Sequence, residues 1–210
     1  MLELDHLTLA FDHPSPSCVT MNVTVKAGDI LAITGPSGVG KSTLLTTLAG
    51  FQAPYSGDAK WQGKTLLDQD VWQRPLSLLF QSQNLFPHLS VRHNIRLGAH
   101  KAKNKKEIDI LINGLSEELG ISDTLAKKAS DISGGQQQRV GLARTLLSEK
   151  PILLLDEPFS ALDKDNRIAA LSLVKRLTER HHLATLIVTH DDADITLLGA
   201  SELRLDRQPI

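Results

Sequence analysis

ITGPSGVGKSTLL, residues 33–45, decides how the rest of the chain is read. Inside it, the eight residues from Gly35 to Ser42 fit the pattern G-x-x-x-x-G-K-[ST]. The residue types answer to phosphate chemistry. Gly35, Gly38 and Gly40 let the backbone turn tightly and aim its N–H groups at phosphate oxygens. Lys41 supplies a point charge for the β- and γ-phosphates, and the Ser42 hydroxyl is an oxygen ligand of the kind Mg2+ takes. The apolar run at 29–34 (DILAIT) reads as a buried strand, and 41–49 (KSTLLTTLA) as a helix with Gly50 at its end. A chance glycine turn has no need of that strand–loop–helix setting. The stretch Gly35, Pro36, Ser37, Gly38, Val39, Gly40, Lys41, Ser42, Thr43 is therefore expected to cradle a nucleoside triphosphate with Mg2+.

Such a site needs a carboxylate nearby. ILLLDE at 152–157 places Asp156 and Glu157 at the carboxyl end of an apolar strand, where open α/β sheets bind ligands. Asp156 suits the magnesium shell; Glu157 suits the attacking water, as general base or orienter. A helix N-terminus could also favour such a pair, but two acids directly after four apolar residues are costly to place without a cation. His190 ends a third apolar run, 184–189 (ATLIVT), where it could donate to a γ-phosphate oxygen or serve as a structural hydrogen-bonder. Gln81 follows the strand-like 76–80 (LSLLF). It can meet Mg2+ or water without adding charge, or lie idle on the surface. The acids of HDDAD, 190–194, read as the opening of a helix rather than a metal cluster.

A second glycine stretch, DISGGQQQRVGLAR at 131–144, also starts a helix. Ser133 and Gln136 have capping-box spacing, and Val140, Ala143, Leu146 and Leu147 share a face. Gly134 and Gly135 weaken a helix but admit a close ligand. The plain reading is an ordinary capped helix. The other is that this helix start faces the γ-phosphate held by a second copy, in a head-to-tail pair about a two-fold axis.

The surroundings are consistent with one α/β unit. Alternating patterns in residues 1–30 read as antiparallel strands, PYSGDAKWQGK at 54–64 as a hairpin, 164–182 as an amphipathic helix, and 201–205 (SELRL) as the last strand. From 83 to 148 the pattern is helical. The expectation is a single domain over 1–210, with a core of 1–82 and 149–210 and a helical subdomain at 83–148. Trp61 and Trp72 are expected to pack, and Lys101–Lys106 (KAKNKK) to be a solvated loop. The 210 residues carry a formal net charge of −1, which speaks against a general nucleic-acid binder. Cys18 is the one cysteine, so no intrachain disulfide can form, and no run reaches the roughly 20 apolar residues of a membrane span.

Taken together these motifs resemble the nucleotide-binding subunit of ABC transporters, across essentially the whole chain. Residues 35–42 match Walker A and 152–157 Walker B. Gln81 matches the Q-loop, ISGGQ at 132–136 the signature, SALD at 160–163 the D-loop and His190 the switch histidine. The resemblance implies a P-loop NTPase fold: a mainly parallel core sheet flanked by helices, an N-terminal antiparallel part and an inserted helical subdomain. It implies ATP with Mg2+, hydrolysis by Glu157 with His190 and Gln81, and metal contacts from Ser42, Gln81 and Asp156. It implies phosphate contacts from Ser133, Gly134, Gly135 and Gln136 across a dimer, coupling of the two sites by Asp163, and stacking of adenine on Phe11. The implied partners are integral membrane permease subunits, a periplasmic or extracellular substrate-binding protein and a second copy, with no nucleic acid. The implied location is the cytoplasmic face of the membrane.

FPHLSV at 86–91 is similar to bacterial importer subunits for thiamine, iron, amino acids or polyamines. KKASD at 127–131 lacks the glycine- and glutamate-rich stretch of exporters. Ile132 replaces a leucine, Gln137 stands where a basic residue is frequent, and no regulatory domain is expected after 205. A soluble relative acting on DNA or ribosomes is the alternative; those usually carry coiled-coil arms, zinc hooks or paired cassettes.

Overall fold

The structure, a computed structural model, describes residues 1–12, 17–82, 85–99 and 104–209. The N-terminal sheet is antiparallel. It comprises β1 (Leu2–Phe11), β2 (Ser17–Val25), β4 (Ser56–Trp61), β5 (Lys64–Thr65) and β10 (Gln208–Pro209), in the order β10-β2-β1-β4-β5. In β1 the buried leucines are Leu2 and Leu4, then Leu7 and Leu9. The change from even to odd positions falls at a register shift between Leu4 and Leu7, where His6 has φ 48°. One extra residue bulges there, so both pairs of leucines reach the same core.

The second sheet holds β3 (Ile30–Thr34), β6 (Leu76–Leu79), β7 (Ile152–Asp156), β8 (Ala184–Val188) and β9 (Ser201–Arg204). Its order is β6-β7-β8-β3-β9, and every pairing is parallel. The central strands are apolar runs because both faces are covered. Leu31, Ile33, Ile152, Leu154 and Leu186 face α1 (Lys41–Ala49) and the antiparallel sheet. Ala32, Leu153, Leu155 and Ile187 face a second core with residues of α4 (Gly134–Leu147) and α5 (Lys164–His181). Between β6 and β7 lie α2 (Val91–Arg96), α3 (Lys105–Glu118) and α4; α6 (Asp192–Leu198) opens at the acids after His190, with Asp191 as its cap.

Several expectations shift. Asp29, Phe80, Thr189 and Leu205 fall just outside their strands, and Asp156 falls inside β7. Reading 201–205 as the last strand missed β10, whose two residues pair with Ser17 and Cys18 and are too few to show a period. Within the helical stretch Ser90 forms an antiparallel bridge with Lys128. Trp61 packs on the core, but Trp72 is 76% exposed, against the expectation that it packs. Gln83, the first residue of the expected helical part, and Lys101–Lys103 lie outside the described residues, while the rest of KAKNKK is not the expected loop: Asn104 caps α3 and Lys105 and Lys106 open it. What matters for function is that β3, β6, β7 and β8 all end on one edge, where loops from four strands meet.

Candidate active site

The Gly35–Ser42 loop leaves β3 and enters α1. Gly35 and Gly40 have φ 133° and 119°, conformations that L side chains rarely adopt. The fit is close as well: a Cβ would stand 2.5 Å from Leu205 O at Gly35 and 2.6 Å from Phe11 Cζ at Gly40. Gly40 caps α1 without any side-chain hydrogen bond. The first-turn amides are thus left to an anion, with the helix dipole behind them. Lys41 Nζ folds over the loop and donates to Gly35 O at 2.8 Å and Pro36 O at 3.0 Å, which holds its charge above the cradle.

Asp156 closes β7 with its side chain only 6% exposed, and its Oδ1 has no hydrogen-bond partner. Burial pushes its pKa up; a hydrogen bond with Ser42 and the charge of Lys41 pull it back, while Glu157 adds to the rise. A buried carboxylate with an orphaned oxygen costs about 1–3 kcal/mol for the unsatisfied group. Beside the Ser42 hydroxyl it is an oxygen pair of the kind that holds Mg2+, so the residues fit the ion. Asp156→Asn is expected to leave the melting temperature of the unliganded chain unchanged or raised. The same variant is expected to lose the extra stabilisation that Mg2+ with ATP gives the wild type. Thermal melts with and without ligand check both halves; a lower melting point for the unliganded variant would overturn the first.

Glu157 follows at φ 45°, a left-handed conformation that costs a non-glycine residue about 1–2 kcal/mol. Pro158 disfavours only the right-handed helical alternative and by itself would push Glu157 to extended backbone, so the left-handed conformation is strain held by the surrounding turn. The conformation directs the carboxylate back over the sheet edge. Gln81 Nε2 donates to Glu157 Oε2 at 3.1 Å, and His190 Nδ1 stands 3.8 Å from Glu157 Oε1. Gln81, Glu157 and His190, from the ends of three strands, thus gather around one carboxylate. His190 is 69% exposed and Glu157 23%, so the cluster opens outward, toward the space a γ-phosphate and water can enter.

The second glycine stretch forms the capping box its spacing predicts. Ser133 Oγ accepts from Gln136 N–H, and Gln136 Oε1 accepts from Ser133 N–H. Gly134 is exposed with open space where a Cβ would be; Gly135 backs onto Ala161. Among the described residues no hydrogen bond joins Ser133–Gln136 to the Gly35–Ser42 loop of the same chain. Gln137 donates to Ala129 O and Ile132 O, shaping the entry to α4. Asp163 caps α5: the amide and side chain of Asn166 donate to its carboxylate, and the backbone hydrogen bond is the first reason its pKa is lowered. An open cleft of about 400 Å³ runs between Gln81, Gly134 and Ser160.

Two residues at this site escaped sequence reasoning. Arg207 lies with its guanidinium 4.1 Å over the Phe11 ring and donates to the carbonyls of Gly38 and Val39. The ring read as an adenine platform therefore carries a cation on one face. Gln138, from α4, reaches the backbone carbonyl of Glu157. Neither stands at a motif position that sequence spacing marks.

Comparison with known proteins agrees with this geometry. A family model described as ABC transporter matches residues 18–160. The thiamine import ATP-binding protein ThiQ of Photobacterium profundum is 41% identical over 203 residues, covering 92% of this chain and 83% of its own length. Among solved structures, a dimeric bacterial ABC transporter cassette superposes with a TM-score of 0.83 at 27% identity, covering 97% of this chain and 94% of that one. A dimeric ATP-binding cassette in a post-hydrolysis state with ADP and Pi gives 0.83 at 25% identity, covering 100% and 98%.

Proposed function

The chain belongs to the ABC transporter family, and from that premise we propose that it drives thiamine import as one half of a head-to-tail pair of ATPase subunits. That it is an ATP-hydrolysing subunit of an importer rests on the family and its relatives. Thiamine as cargo rests on the relative's name alone. The observation that carries the catalytic reading is the gathering of Gln81, Glu157 and His190 around one carboxylate beside the Lys41 loop.

In this reading the amides of the Gly35–Thr43 loop and Lys41 bind the triphosphate. Ser42, Asp156 and Gln81 would hold Mg2+, which when bound offsets the phosphate charge. Glu157 takes the proton of the attacking water or orients it, with Gln81 fixing its carboxylate. His190 donates to a γ-phosphate oxygen. Ser133, Gly134, Gly135 and Gln136 of the second copy complete the shell, Asp163 couples the two sites, and Phe11 supports the base. Residues 1–82 and 149–210 act as catalytic core and 83–148 as the helical subdomain that meets the permease. No described helix is long and apolar enough to cross a membrane, so contact with the cytoplasmic face runs through permease subunits. A substrate-binding protein delivers the cargo.

A tagged copy pulled from detergent-solubilised native membranes is expected to bring a multi-span protein and a binding protein with it. The complex in proteoliposomes should take up labelled thiamine only with ATP on the subunit's side. Uptake of iron, an amino acid or a polyamine instead would overturn the cargo alone. Ribosomal or DNA-bound partners without a membrane protein would overturn the transporter reading.

A further inference from the structure

Helix α4 starts at a glycine pair, Gly134 facing outward and Gly135 backed on Ala161, and within its first two turns it passes against the loop that carries Glu157. Gln138 is the side chain at that crossing, and it is 9% exposed. Its Nε2 donates to Glu157 O at 2.9 Å and to Ser160 Oγ at 3.2 Å, while its Oε1 accepts from Ala161 N–H at 3.0 Å. Ser160 Oγ also donates to Glu157 O, at 3.1 Å. One buried amide thus engages three residues of the turn that follows β7. The far end of the same segment is held from the neighbouring position: Arg139 Nη1 donates to Asn166 Oδ1, and Asn166 donates to Asp163. The first turn of α4 is as close, since a Cβ on Gly135 would lie 2.9 Å from Ala161 O. Little slack separates the start of α4 from the carbonyl of a glutamate already held at φ 45°.

We propose that Gln138 is a positioning residue that sets the Glu157 backbone for hydrolysis and couples it to the glycine-led start of α4. Ser133–Gly135 of one chain meet the phosphate bound by the other chain, while Glu157 of that first chain acts at its own phosphate. Gln138 joins the two ends, so engagement at one site adjusts the carboxylate at the other. This rests on the head-to-tail pairing and on the role of Glu157 given above.

The test uses the full chain and Gln138→Met, which keeps length and apolar packing but removes all three hydrogen bonds. ATP hydrolysis is followed against ATP concentration, with thermal melts and sizing columns beside it. The expected result is a kcat lower by about 10- to 100-fold, as for a group displaced by a fraction of an ångström. KM should stay within about twofold, and the Hill coefficient should fall toward one. In a Glu157→Gln background, ATP should still drive the variant into dimers. Ser160→Ala, at an exposed position, should lower kcat in the same direction by about three- to tenfold, the worth of the one of its two hydrogen bonds that reaches Glu157 O. Wild-type kcat and Hill coefficient in Gln138→Met would overturn the proposal. So would a loss of kcat that comes with a lost ATP-driven dimer, since that is a purely structural role; a modestly lower melting temperature is expected from the three lost hydrogen bonds. Glu157→Gln alone separates the premises: wild-type hydrolysis there overturns the role of Glu157, whatever Gln138→Met does.

Discussion

Glu157→Gln is expected to hydrolyse ATP about 100-fold or more slowly than the wild type and to run as an ATP-bound dimer on a sizing column. The substitution is isosteric, and the amide oxygen can still accept from Gln81 Nε2. The left-handed backbone at φ 45° before Pro158 suits glutamine as it suits glutamate. What disappears is the negative charge. A neutral amide cannot take a proton from water, so the chemical step loses its base. The same change removes a repulsion between the carboxylate and the triphosphate, so the bound state gains as the reaction slows. The two effects have one sign for dimer lifetime, and a trapped dimer is the sensitive readout. Wild-type hydrolysis by the variant would move the base elsewhere, and His190, 3.8 Å away, would be the next residue to replace.

The parts of this site that could be read in the sequence are those whose chemistry sets both residue type and spacing. The Gly35–Ser42 loop is one, because only glycine suits φ 133° and 119° where a Cβ would meet Leu205 O and Phe11. The acids after a four-residue apolar run are another, because burial makes an unpaired carboxylate expensive and so informative. The parallel sheet was legible for the same reason: runs such as ILLL and LIV need cover on both faces. Gln138 was not legible. It sits in the run QQQ, and glutamine on a helix is ordinary; only the fold brings Ser160 and Ala161 to it from 22 and 23 residues away. Arg207 was hidden likewise, since its partners Gly38 and Val39 lie 169 and 168 residues earlier in the chain. β10 shows the limit for strands, because two residues carry no period. Trp72 shows the limit for burial: residue type predicted packing, and a neighbouring element to pack against is what decides it.

Gly134→Asp carries the second large effect, and it separates folding from assembly. Gly134 has no positive φ, and a Cβ there meets nothing within 4 Å of its own chain. An acid in the first turn of α4 also suits the helix dipole, by about 0.3–1 kcal/mol. The variant's melting temperature should therefore match or exceed that of the wild type. Its ATPase should nonetheless fall by about 100-fold or more, because in the proposed pairing the new carboxylate would face the triphosphate held by the second copy and block the donors around it. Lys41→Ala should be equally inactive through its own loop, having lost the charge that folds over Gly35 and Pro36. Mixing the two dead variants should restore activity. In a mixed dimer both defects fall in one site, and the other site combines an intact Lys41 loop with an intact Gly134. With random pairing half of the dimers are mixed, each with one working site of two, so about a quarter of the wild-type rate is the ceiling set by independent sites, and coupling through Gln138 lowers it further, because the working site uses Glu157 of the Gly134→Asp chain. A site completed within one chain gives none of this: Gly134→Asp would keep its activity alone, and the glycine-led start of α4 would be no more than a capped helix.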